Sequence, residues 1–165
     1  MSAPLAIAID LGGTQLRAAL VAGARVEARA AEPTDVAGGP EAVLAQMQRL
    51  IGAVSAGITA DRINGIGISA PGPLDSEAGV VLEIPTLPGW TDVPLRDRLA
   101  AATGLPVLLE NDGISAAYGE WRHGAGRGLS HLVYATVSTG LGGGVIVDGR
   151  IMHGRRGMAG HIGHF

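Results

Sequence analysis

Ile9-Asp10-Leu11-Gly12-Gly13-Thr14, which ends the apolar run begun at Leu5, decides how the fold is read. A short apolar run that breaks into Gly-Gly-Thr reads as a buried strand entering a tight turn. Without a Cβ in the way, main-chain N–H groups of such a turn can approach an anion, and the Thr hydroxyl adds a donor. A second stretch repeats the pattern: Leu132 to Val137, then Ser138-Thr139-Gly140-Leu141-Gly142-Gly143-Gly144. Either stretch alone could be an ordinary hairpin. Two of them, far apart and each with a Thr, point to a nucleotide triphosphate gripped from both sides.

Between these turns the chain reads as alternating strands and helices. Leu16 to Val21 and Arg25 to Ala30 form a hairpin around Ala22-Gly23-Ala24. Gly38-Gly39-Pro40-Glu41 opens a helix, since Pro in a first turn has no N–H to lose. Its apolar face carries Val43, Leu44, Met47, Leu50, Ile51, Val54 and Ile58 at three- and four-residue spacing. Ile63 to Ser69 is a strand closed by Ala70-Pro71-Gly72-Pro73, which cannot continue as helix or central strand. Val80 to Ile84 reads as a short strand and Pro85 to Trp90 as an exposed loop. Asp92 is placed to cap a helix through Leu95 and Leu99 that Gly104 ends. Pro106 to Leu109 is a further strand, followed by a small-residue helix from Gly113 to Arg122. After the glycine-rich link His123 to Gly128 come strands at His131 to Val137, Val145 to Asp148 and Arg150 to Met152. The order implies an α/β fold with a mixed sheet flanked by helices over residues 1–128. Residues 129–165 restart the pattern as the opening of a second lobe.

Composition narrows the classes. A hydrophobic share of 47% with only 3% aromatic residues describes a core of Ala, Val, Leu and Ile, and 27 glycines demand many turns. Net charge is −3 and every basic residue is arginine. No basic block appears, which argues against a nucleic-acid surface; the one adjacent pair, Arg155-Arg156, reads as a solvated turn. The chain has no cysteine, so disulfides and thiolate metal sites are excluded. Neither a signal peptide nor a membrane span is visible, and a cytoplasmic address is the default expectation.

The assembled motifs resemble the ROK family of bacterial sugar kinases, sugar-responsive repressors and related proteins. Six collinear elements carry the resemblance: Asp10 to Thr14; Gly67 to Pro73; Leu87-Pro88-Gly89-Trp90; Glu110-Asn111-Asp112 with Ala116 to Glu120; Ser138 to Gly144; and Gly157 to His164. The resemblance implies an actin-like, ribonuclease-H-like duplicated fold with sugar and nucleotide in the cleft between lobes. It implies an ATP-dependent kinase acting on a hydroxyl, commonly the 6-hydroxyl, of a hexose or N-acylhexosamine such as glucose or N-acetylmannosamine. The family's repressors carry a preceding helix-turn-helix, and Met1 stands four residues before Leu5, which turns the expectation toward kinase. A full family member has roughly twice this length by the same resemblance. A truncated, inactive fragment with weak sugar binding, and a regulator lacking its DNA-binding part, therefore stay open as alternatives. So does a homodimer.

Residue by residue, the resemblance makes Asp112 the catalytic base that takes the sugar hydroxyl proton. The sequence context agrees, because Asp112 sits where a strand ends and a helix begins, and a helix N-terminus favours an ionised carboxylate. Capping of that helix by Asn111 or Asp112 is the plain alternative. Asn111, with an amide that both donates and accepts, is expected on ring hydroxyls, and Gly72 and Pro73 in a sugar-facing turn. Thr86 stands where the family often carries Asn, and Gln15 where it often carries Lys. Asp10, Gly12, Gly13 and Thr14 are expected to hold the β- and γ-phosphates of ATP, with Asp10 orienting Mg2+ through water. Thr139, Gly140, Gly142 and Gly143 supply the opposing loop. His161 takes the place of the family's sugar-binding Glu, a variant resembling N-acetylmannosamine kinases. His164 matches a His that contacts sugar and, in full-length members, ligates structural Zn2+ with downstream cysteines. A lone His cannot complete a closed tetrahedral site, so no zinc is expected within this chain. His123 and His153 read as surface or turn residues.

Overall fold

A computed structural model describes residues 3–137, 141–154, 157, 159–160 and 163. The chain divides into two units, Met1–Leu109 and Glu110–Phe165.

The first unit is built on strands β1 (Leu5–Leu11), β2 (Gln15–Ala22), β3 (Arg25–Pro33) and β4 (Ile63–Ala70), joined by β8 (Val107–Asn111) in the order β3-β2-β1-β4-β8. β1 pairs antiparallel with β2 and parallel with β4, which makes the sheet mixed. Alternation sorts its side chains. Ile7, Ile9 and Leu11 of β1, Leu16, Ala18 and Leu20 of β2, and Ile66 and Ile68 of β4 are buried together on one face. Helix α1 (Gly39–Val54) covers that face with Val43, Leu44, Met47, Leu50, Ile51 and Val54. The helix stops four residues before Ile58, at the cap residue Ser55, whose N–H and hydroxyl both donate to the Ile51 carbonyl, at 3.0 and 2.7 Å. Ile58 instead packs half-buried against the core from the following turn. The opposite sheet face is floored by Ala8, Ala19 and Ala31 and forms a shallow cavity of about 590 Å3 that Asp10, Arg17, Arg29 and Ser69 also line.

The middle segment departs from expectation at two places. The loop Pro85 to Trp90 is exposed at Pro85, Thr86, Pro88 and Gly89 as expected, but Leu87 and Trp90, like Ile84 before them, turn inward and are each 2% exposed or less. Apolar side chains on a short loop gain more from burial than the turn residues around them gain from water. Asp92 does not cap a helix; it lies in strand β7 (Thr91–Val93), which pairs with β6 (Val80–Glu83) beside β5 (Leu74–Asp75). Helix α2 (Leu95–Thr103) is preceded by Pro94 with no side-chain cap and ends at left-handed Gly104, as expected.

The second unit packs helix α3 (Asp112–His123) on a sheet of β9 (Leu132–Val137), β10 (Leu141–Val147) and β11 (Arg150–Met152), ordered β11-β10-β9. The expected boundary at residue 128 falls after α3, whereas the chain divides between Leu109 and Glu110. The reason is the contact between α3 and β10, where Gly113, Ala117, Gly143 and Gly144 bring the two backbones together. β10 also begins earlier than expected. Gly142, Gly143 and Gly144 are not turn residues but strand residues, paired with Thr136, Ala135 and Tyr134. Val133, Val137, Leu141 and Met152 of this sheet remain exposed.

Candidate functional site

The Gly12–Thr14 turn joins β1 to β2, and Gly12 N–H closes it by donating to Gln15 O at 3.1 Å. Thr34 at the end of β3 braces it from outside: its hydroxyl donates to Gly12 O at 2.7 Å and its N–H to Thr14 O at 3.1 Å. The turn is a hairpin turn in which the Gly12 and Thr14 carbonyls are already bonded. Thr86 lies over it, with its hydroxyl oxygen 3.2 Å from where a Cβ on Gly13 would stand. Any larger residue at 13 would displace that hydroxyl.

Asp10 and Arg17 are cross-strand partners in the β1–β2 register, and Arg17 Nη1 donates to Asp10 Oδ2 at 3.1 Å. The same guanidinium donates twice to Gln15 Oε1, at 2.9 and 2.7 Å. Where the sequence pattern left a lysine missing at position 15, Gln15 orients an arginine two residues on. The sequence reading missed Arg17; the signal that could have found it is its place opposite Asp10 across the glycine turn, since opposite charges facing across an antiparallel pair attract.

β1 and β4 run parallel, with Asp10 beside Ser69, so Gly12–Thr14 and Pro71-Gly72-Pro73 leave the sheet at the same edge. Carboxyl ends of strands in open α/β sheets are where ligands commonly bind. Gly72–Pro73 is a cis peptide, and Pro73 O accepts from the N–H groups of Leu82 and Glu83 at 3.0 and 3.2 Å.

In the second unit, Asn111 and Asp112 divide the labour at the start of α3. Asn111 is 4% exposed and is the cap: its Oδ1 accepts from Gly113 N–H at 3.0 Å and Ile114 N–H at 3.4 Å. With that oxygen engaged, the amide of Asn111 keeps its donor side for a ligand. Asp112 is the first helical residue and is exposed. One of its oxygens accepts from Gly113 N–H at 2.7 Å.

Glu110 and His153 were not singled out as site residues, and His153 was read as a surface or turn residue. The structure pairs them: His153 Nε2 lies 2.8 Å from Glu110 Oε2. Residues this distant in sequence meet only in the folded chain; Glu110 belongs to the Glu110-Asn111-Asp112 motif, but nothing in the sequence pairs it with His153.

The structure therefore gathers Asp10, Gly12, Gly13 and Thr14 with Thr86 in one unit, and Asn111, Asp112, Gly142 and Gly143 in the other. Thr139, Gly140, His161, His164 and the Arg155-Arg156 pair lie outside the described residues. Among the described residues no cluster of three or more His, Asp or Glu could hold a metal ion, and no helix is long and apolar enough to cross a membrane.

The ROK family model matches residues 6–165. The chain belongs to the ROK family. Among its relatives, a glucokinase of Thermotoga maritima is 40% identical over 159 residues, covering 96% of this chain and 49% of that protein. An N-acetylmannosamine kinase of Salmonella paratyphi A is 37% identical over 159 residues, covering 96% and 53%. A crystal structure of a ROK family glucokinase from Streptomyces griseus, in complex with glucose and AMPPNP, superposes with a TM-score of 0.87 at 34% identity. It covers 98% of this chain and 50% of that one. This ROK chain thus spans about half the length of the relatives it matches, and its mixed five-stranded sheet with flanking helices is the fold of their amino-terminal half.

Proposed function

We propose that this chain carries the sugar-binding and phosphate-binding elements of an ATP-dependent sugar kinase that phosphorylates a hexose or N-acylhexosamine, at its 6-hydroxyl. The observation that carries the reading is Asp112: an exposed carboxylate at the first position of a helix, inside a chain alike in fold and sequence to a glucokinase that binds glucose and AMPPNP. In phosphoryl transfer most of the work is positioning and charge stabilisation, and the attacking alcohol needs a base to accept its proton. Asp112 takes that proton. General-base action of this kind contributes about 10²–10⁴ in rate. Asn111 donates to a ring hydroxyl through its amide while its oxygen holds the helix, and Gly72, Pro73, His161 and His164 complete the sugar contacts.

The Gly12–Thr14 turn and the Thr139–Gly143 stretch take the phosphates. Asp10 fits the hard-cation partner of such a triphosphate: its carboxylate is about half exposed, and Mg2+ is commonly held by one or two carboxylates, substrate phosphates and water. When bound, Mg2+ supplies charge neutralisation on the phosphate oxygens. Arg17 supplies a fixed positive charge beside the same turn.

A second reading is favoured by the exposed apolar residues Val133, Val137, Leu141 and Met152: a chain that binds sugar weakly and turns nothing over. Sugar-dependent ADP release, measured with glucose, N-acetylmannosamine, N-acetylglucosamine and fructose, separates the two. ADP formation with one of these sugars and none in its absence supports the kinase. Sugar binding without ADP supports the second reading, and neither binding nor ADP contradicts both.

A further inference from the structure

Both oxygens of Glu110 are in use. Oε1 accepts from the backbone N–H of Asn111 at 2.8 Å, and Oε2 meets His153 Nε2 at 2.8 Å. A carboxylate only accepts, so Nε2 carries the proton and donates it. The Glu110 side chain is 26% exposed and His153 46%, which leaves this pair better shielded than a freely solvated ion pair and holds it as a bridge between two segments.

One end of the bridge is the Asn111–Asp112 junction. The other is the turn after β11, where His153 O accepts from Ala159 N–H at 3.0 Å. Gly154 and Gly160, on either side of that bond, are closely seated. A Cβ on Gly154 would stand 3.1 Å from Ala159 Cβ, and one on Gly160 would stand 2.6 Å from Gly143 O. His153 is therefore held at its backbone by its own turn and at its ring by Glu110, and Glu110 in turn holds the N–H of Asn111. We propose that His153 is a positioning residue, acting through Glu110 to fix the backbone of Asn111 and with it the direction in which Asn111 and Asp112 meet the sugar. The proposal rests on the kinase reading above only for what is positioned; the bridge itself stands on the geometry.

The test uses the 165-residue chain, with His153→Ala, His153→Gln and His153→Asn. A glutamine amide reaches about as far as Nε2 and donates to Glu110, whereas the shorter asparagine mimics the other ring nitrogen. The first readout is the Asn111 backbone amide resonance in a nitrogen-15 spectrum. His153→Ala shifts it, His153→Asn shifts it, and His153→Gln returns it toward the wild-type position. The second is the dissociation constant for glucose and for N-acetylmannosamine: His153→Ala weakens binding by about tenfold, the loss of one charge-assisted hydrogen bond, and His153→Gln restores it. An Asn111 resonance that ignores all three changes overturns the bridge. A resonance that moves while sugar affinity stays put overturns the positioning role and leaves the kinase reading standing. A wild-type chain that binds neither sugar removes that reading and the positioning role with it, while the amide shifts still decide the bridge.

Discussion

A Cβ placed on Gly113 would lie 2.6 Å from the carbonyl oxygen of Gly143. The start of α3 and the middle of β10 are thus held at backbone contact, the helix end that carries Asp112 against the strand that carries the second glycine motif. Gly144 makes the same point from the other side, since a Cβ there would stand 2.6 Å from Ala117 Cβ. Gly113→Ala is expected to cost about 1–3 kcal/mol, the range for overpacking a site that cannot give. Gly119, later in the same helix, has open space around it, and Gly119→Ala is expected to stabilise by about 0.4–1 kcal/mol through the unfolded chain. Urea unfolding of the two variants should move the midpoint in opposite directions.

Leu87 and Trp90 make the loop before β7 a part of the core. Leu87→Ala is expected to cost about 2–5 kcal/mol and Trp90→Ala about 3–5 kcal/mol. Trp90 is 1% exposed and its indole N–H has no acceptor among the described residues. Trp90→Phe removes that unpaired donor along with some volume, so its cost should fall well below that of Trp90→Ala. Thermal melts of the three variants give the ranking.

Much of the first unit was legible because its strands alternate cleanly and α1 keeps its apolar spacing from Val43 to Val54. The failures share a cause. Gly142 to Gly144 were read as turn because glycine usually signals one, yet their smallness serves the approach of α3, which only the tertiary structure reveals. β7 is three residues long and contains Asp92 at a positive φ of 51°, a pattern with no strand signature. At the candidate site, Asp10, Gly12, Gly13, Asn111 and Asp112 stood out through motif, whereas Arg17 was not singled out, although its place across the hairpin from Asp10 carried a signal. Thr34, Thr86 and the Glu110–His153 pair follow from packing between distant segments, for which one sequence offers no signal.

The Arg49 guanidinium, with the Gln46 amide beside it, holds Glu32 below the ordinary carboxylate value of 4.5. Arg98 does the same for Glu41. A depressed value in the folded state favours the ionised form there, so this stabilisation is complete above pH 4.5 and is lost as pH falls through the lower folded values. Glu32→Gln should therefore lower the melting temperature at neutral pH, and the gap from wild type should close in melts recorded well below pH 4.5.

Asp10→Asn separates structure from chemistry in the first glycine turn. The Asp10–Arg17 pair is exposed, with side chains 49% and 59% accessible, and such pairs are worth up to about 1 kcal/mol. The variant should unfold within that margin of wild type in urea. Under the proposed role its KM for MgATP should rise by at least about tenfold, because the hydrated cation loses the carboxylate that orients it. Steady-state ADP release against MgATP concentration measures it.

Asp112→Asn is the change that bears most directly on the kinase reading, since it keeps the size and helix position of residue 112 while removing its charge and its capacity to take a proton. Sugar-dependent ADP formation, followed alongside sugar affinity for the two proteins, is the decisive comparison. The rate should fall by about 10²–10⁴ with sugar affinity nearly unchanged. Turnover that survives the substitution at a comparable rate would contradict the kinase reading.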